Sequence, residues 1–182
     1  MQHQPRRVVT GIAAHGISAI TEIRDVEPVR IAAAPTIDFF QIWGTGDGIP
    51  VVGGGDEAVA ISAPFFPGPG GTRFLLARYG PASSDAVAYD EAATAEANEK
   101  LPGLMDVFPD PSNPMHATST IDYAICVSGE IFLELDSGDE ILLTPGTCVV
   151  QLASNHAWHN RSSAPCVMCF FSVGADRRSV TE

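Results

Sequence analysis

The stretch that decides the fold is Met115-His116-Ala117-Thr118-Ser119-Thr120-Ile121-Asp122-Tyr123, answered downstream by Ala153-Ser154-Asn155-His156-Ala157-Trp158-His159-Asn160. Read as extended chain, side chains alternate between two faces, so His116, Thr118, Thr120 and Asp122 share one. That face carries an imidazole, two hydroxyls and a carboxylate. Polar groups turned into a core need partners, because burial without them is costly. In the second stretch His156 and Trp158 share a face, and His159 takes the other.

Outward from these stretches the C-terminal half keeps a regular rhythm. Apolar, β-rich runs lie at 123–127, 131–135, 140–143, 148–151, 156–160 and 166–173. Turn signals separate them: Ser128-Gly129, Asp136-Ser137-Gly138-Asp139, Pro145-Gly146, Ala153-Ser154-Asn155 and the run from Arg161 to Pro165. Short strands at even spacing, with no helical period between them, predict an antiparallel barrel or sandwich. The N-terminal half is looser, with strands expected over 7–10, 18–22, 39–43 and 73–79 between Gly- and Pro-rich loops. Only 90–100 reads as a helix, with acids in its first turn, Lys100 in its last and Leu101-Pro102-Gly103 to end it. It is expected on the surface of a connecting segment or as a lid.

The two motifs resemble those of the cupin superfamily. His116-Ala117-Thr118, three residues, Asp122, six residues and Gly129 follow that family's HxH, Glu, Gly pattern, with Thr118 in place of the second histidine and Asp122 in place of the glutamate. Ala153, His156 and Asn160 follow its GxxHxxxN ending, Gln151 stands where its proline would be, and 16 residues separate Gly129 from Gly146. The resemblance covers about residues 108–174. It implies an all-β fold, a double-stranded β-helix (the cupin or jelly-roll barrel), with extra N-terminal strands and one short helix. The expected organisation is one domain over 1–182: N-terminal strands over 1–80, a helical connection over 81–107, and the motif-bearing core over 108–174.

Carried over position by position, the resemblance makes His116, Asp122 and His156 the catalytic and metal-ligating candidates. Two histidines and a carboxylate suit one divalent Fe, Mn, Ni or Zn ion. The alternative is a metal-free polar pocket in which Asp122 bonds to Thr118, Thr120 or a backbone amide. Thr118, Thr120, Trp158 and Cys126 complete the candidate substrate pocket. Three functions follow: a metal-assisted enzyme on a small organic acid, carbonyl or phenolic substrate (oxygenase, decarboxylase, isomerase, cyclase or dehydratase), a metal-free His/Asp acid–base isomerase or dehydratase, and a non-catalytic binding or sensor module. Fold alone does not choose among them.

Other features bound the partners. Twenty-two acidic residues face 10 basic ones, and Lys100 is the only lysine, so no basic face is available for nucleic acid. No stretch approaches the roughly 20 apolar residues that span a bilayer, and no signal-peptide core follows the N-terminus, so the expected location is cytoplasmic with no membrane partner. Cys126, Cys148, Cys166 and Cys169 sit in apolar runs and read as buried core thiols. Phe39, Phe40 and Trp43 read as core or dimer contacts, Tyr123 as core or interface, and His3 and His15 as surface residues. His159 is expected outside the barrel. Strand edges in the N-terminal half suggest a homodimer.

Overall fold

The computed structural model describes residues 4–52, 59–82 and 89–178. Their strands are β1 (Arg6–Ile12), β2 (Ser18–Asp25), β3 (Ile37–Thr45), β4 (Thr72–Tyr79), β5 (Thr120–Ser128), β6 (Ile131–Leu135), β7 (Glu140–Leu143), β8 (Cys148–Leu152), β9 (His156–His159) and β10 (Cys166–Gly174), with helix α1 (Glu91–Lys100) between β4 and β5. A five-stranded sheet runs β3-β4-β10-β5-β8, a three-stranded sheet runs β7-β6-β9, and every ladder is antiparallel. This is the all-β barrel architecture expected from the strand rhythm.

Alternation puts one apolar row from each sheet between the two layers. Ala124, Cys126, Met168 and Phe170 of the larger sheet pack there against Ile131, Leu133 and Leu143 of the smaller one. The β5–β6 turn is closed by Gly129, whose φ is +75° and where a Cβ would stand 2.5 Å from the Pro165 carbonyl oxygen. Both the left-handed backbone and the close approach require glycine there.

Helix α1 is capped by Asp90, whose carboxylate accepts a bond from the Ala93 amide at 2.8 Å. Its buried Ala93 and Ala97 face inward. Ala97, Leu101 and Leu104 form a second cluster with Ile31, Phe39 and Phe65 over one end of the barrel.

The N-terminal strands divide. β3 and β4 extend the large sheet, whereas β1 and β2 pair only with each other and form a separate two-stranded ribbon. Arg7 ties this ribbon down: its buried guanidinium donates to the Ile42 carbonyl at 2.9 Å and lies 5.4 Å from the centre of the Trp43 ring. Beneath lie Val26, Phe40 and Ile42, on the side of β3 opposite Phe39. The expectation that all four strands extend one barrel is corrected for the ribbon, which shares no ladder with it.

The cysteine expectation is corrected for Cys148, and Cys169 is only partly buried. Cys126 and Cys166 are buried with their sulfurs 4.0 Å apart as free thiols, but Cys148 is exposed, because it lies on the outward side of edge strand β8. No helix among the described residues is long and apolar enough to cross a membrane.

Candidate functional site

The two motif histidines meet. His116, just before β5, and His156, opening β9, form an isolated antiparallel bridge and exchange backbone hydrogen bonds of 3.0 and 2.9 Å. Their ring centres are 4.4 Å apart. Each Nδ1 lies 2.9 Å from a carbonyl oxygen two residues upstream, Pro114 for His116 and Ser154 for His156. A carbonyl only accepts, so each Nδ1 carries the proton and each Nε2 keeps a lone pair with no partner among the described residues. Burial, followed by the neighbouring His156, pushes the pKa of His116 down to about 4, against the Pro114 carbonyl. Burial also lowers His156, opposed by the Ser154 carbonyl and the charge of Asp122. Both imidazoles are neutral at pH 7.

His156 owes its position to the β8–β9 turn, where Ala153 adopts a left-handed φ of 55° and swings the chain from one sheet to the other. On β5, Asp122 is buried and its Oδ2 accepts from Thr120 at 2.6 Å and from Thr118 at 3.3 Å. In register beside it stand Ser172 of β10 and Gln151 of β8. Directly opposed residues in a sheet share a face, so these three make a buried polar row.

This row and the imidazoles line a cavity of about 270 Å³. Its remaining wall is largely apolar: Ile31, Ala33, Phe39 and Phe65 from the N-terminal half, Leu75 and Ala77 of β4, Leu104, Met105 and Phe108 after the helix, and Trp158 and Phe170 of the core. The volume is near the lower end of small-molecule sites, and the mix of apolar wall with few polar groups is theirs too. The connecting segment does line the cavity, but through Tyr89, Leu104, Met105 and Phe108 rather than through α1 itself.

Of the seven residues singled out from the sequence, His116, Asp122, His156, Thr118 and Trp158 line this cavity and two do not. Thr120 is fully buried beneath Asp122, where its hydroxyl also meets Thr118 at 2.6 Å. Cys126 has the inward parity but lies four residues further along β5, inside the closed core beside Cys166. Both are corrected from lining to supporting positions. His159 faces away and pairs with Glu134 at 2.7 Å, and His15 is exposed; His3 lies outside the described residues. Gln151, noted in the sequence only for standing where the family pattern has proline, was not placed in the pocket. Its signal was present: an amide at inward parity on a strand, opposite Asp122.

The expected three-ligand metal site is not assembled. Among the described residues no three His, Cys, Asp or Glu side chains converge closely enough to hold an ion. The physical reason is local: Thr118 occupies the place of a ligating histidine. Two imidazoles alone fall short of the three protein ligands a catalytic site uses.

No protein-family model matches the chain. It is 40% identical over 84 residues to phomopsin biosynthesis cluster protein C′ of Diaporthe leptostromiformis, a stretch that is 43% of this chain and 44% of that protein. To the cupin-domain-containing oxidoreductase virC of Hypocrea virens it is 42% identical over 57 residues, 31% of this chain and 29% of that protein. The chain thus matches less than half the length of these curated relatives. A solved Cupin 2 conserved barrel domain protein from Salinispora arenicola superposes with a TM-score of 0.47 at 13% identity, over 85% of this chain and 90% of that one. The resemblance of residues 108–174 implied an all-β cupin-like barrel; the strands do form a two-layered antiparallel barrel in which the two motif histidines meet across a β-bridge, and the chain shares local identity with cupin-domain proteins.

Proposed function

We propose that the chain is a cupin-type enzyme of biosynthetic small-molecule metabolism that moves a proton on a small organic substrate without a metal, with His156 as the base. One observation carries this reading: two neutral imidazoles, each locked by a backbone carbonyl at Nδ1, leave both Nε2 lone pairs free on the wall of an apolar cavity. The relatives named as biosynthesis cluster proteins and cupin-domain oxidoreductases support the metabolic setting.

In the step proposed, Nε2 of His156 takes a proton from the carbon next to a substrate carbonyl. The C–H electron pair moves into the carbonyl system and gives an enolate. Return of the same proton at a different atom completes an isomerisation. Its delivery to a departing β-hydroxyl releases water and completes a dehydration. Asp122 steadies the imidazolium that forms, and His116 offers a second, weaker acceptor. The dry wall strengthens these interactions relative to water.

The test is deuterium exchange into a panel of enolisable ketones, acetophenone among them, in D₂O after exhaustive chelation. The expected result is methyl exchange on the order of 100-fold above buffer, unchanged by the chelator and lost in His156→Gln. Ketones that bind without exchanging would instead make the chain a binding module.

The unit proposed is a single domain that pairs as a homodimer. Support comes from the outward side of the large sheet, where exposed Tyr123, Ile125, Val127, Val150 and Phe171 share one face. A contiguous apolar patch of this kind marks an interaction surface.

A further inference from the structure

Gln151 has a donor with nothing to bind. The residue is 4% exposed, it lines the cavity, and among the described residues its Nε2 has no hydrogen-bond partner. Among the described residues the only other buried side-chain atom in that state is Ser128 Oγ, at the far end of β5 and away from the cavity. A buried amide N–H without a partner costs stability, and such a cost persists at sites where a ligand relieves it.

The chemistry around it specifies the ligand. Asp122 is the only acid on the described cavity wall, and no Lys or Arg lines it. A carboxylate or phosphate there would be buried beside a like charge with no cation to pair it, which is heavily unfavourable. A neutral carbonyl oxygen accepts from an amide without that penalty. Along the cavity wall, the rings of Phe108, His116, His156, Trp158 and Phe170 contact one another in sequence, with centres 4.6, 4.4, 5.6 and 5.5 Å apart. Such a wall suits a flat apolar body.

We propose that Gln151 is the specificity-determining residue of this cavity, its Nε2–H donating to the carbonyl oxygen of a neutral, ring-bearing substrate, and that the cavity rejects carboxylates and phosphates. The inference rests on the proposed reaction only in using the same cavity. In that reaction the same bond strengthens as charge develops on the enolate oxygen.

Three probes test it by calorimetry: acetophenone, its hydrocarbon isostere α-methylstyrene, and benzoate. The wild-type chain is expected to bind acetophenone about 10-fold tighter than α-methylstyrene, with benzoate at least about 10-fold weaker than acetophenone. In Gln151→Leu the two neutral probes become equal, while the ligand-free Tm rises by about 2–4 °C because the unpaired donor is gone. Gln151→Met keeps the length, removes the donor and is expected to lose the ketone preference as well. A ketone preference that survives both substitutions overturns the inference, as does benzoate binding as tightly as acetophenone, or failure of both neutral probes to bind the wild-type chain. Gln151-dependent binding without deuterium exchange would keep this inference and remove the proton-transfer reading. Exchange with affinity unaltered in both variants would do the reverse.

Discussion

His116 and His156 are held neutral by their surroundings, and this has a measurable consequence. An ordinary histidine titrates near 6.5, whereas burial and the facing His156 take His116 down to about 4. Below pH 6.5 the unfolded chain takes a proton that the folded ring refuses. Stability from this residue is therefore complete above about pH 6.5 and is lost as the pH falls towards 4. Allowing for partial exposure, the loss is about 2 kcal/mol. Urea midpoints at pH 7.5 and 4.5 should show it, and His116→Gln should lose correspondingly less than the wild-type chain. Equal losses in both would contradict the buried neutral imidazole. Sequence parity alone put His116, Thr118 and Asp122 on one face, because side-chain alternation is a local property. It could not separate Asp122 from Thr120 or Cys126, because the inward side of a barrel strand is part cavity and part closed core. Which part a residue meets depends on the opposite sheet and on residues 104–108, not on its own strand.

At the scale of elements, the runs of the C-terminal half were legible to within a residue at each end, except that β5 begins at Thr120 rather than Tyr123, since short strands between turn signals have few alternatives. The helix over 90–100 was legible from its charge placement and from Leu101-Pro102-Gly103 at its end. The separate pairing of β1 and β2 was not: both strands leave apolar side chains such as Val8, Ile20 and Ile23 exposed, so their pattern names no buried face. The β8–β9 turn joins motif to geometry. Where the family pattern has glycine, Ala153 sits at φ 55°, a conformation unfavourable for any residue with a Cβ. Ala153→Gly removes that strain but adds freedom to the unfolded chain, and the balance predicts a gain of about 0.5–1 kcal/mol. A rise in the denaturant midpoint with unchanged slope would confirm it; a fall would mean that the turn is not strained as described.

For the whole molecule, the two layers close one end of the barrel with Ile131, Leu143 and Met168 and leave the other to the cavity, roofed by the segment after α1. The outward apolar face of β10, β5 and β8 predicts a particle of twice the chain mass by sedimentation equilibrium. Placing a charge there, as in Val150→Glu, should yield monomer with an unchanged circular dichroism spectrum. A monomeric wild-type chain at tens of micromolar would contradict the homodimer. The proposed proton-handling cavity of His116, His156 and Asp122 requires that these residues hold no metal, Thr118 standing where the family pattern has a histidine. Its most direct test is elemental analysis of untagged protein after reconstitution with Fe(II), Mn(II), Ni(II) and Zn(II) in turn, with His116→Ala beside it. Less than about a tenth of an equivalent of any metal is expected in either protein; a full equivalent in the wild-type chain that disappears in His116→Ala would make the site a metal centre.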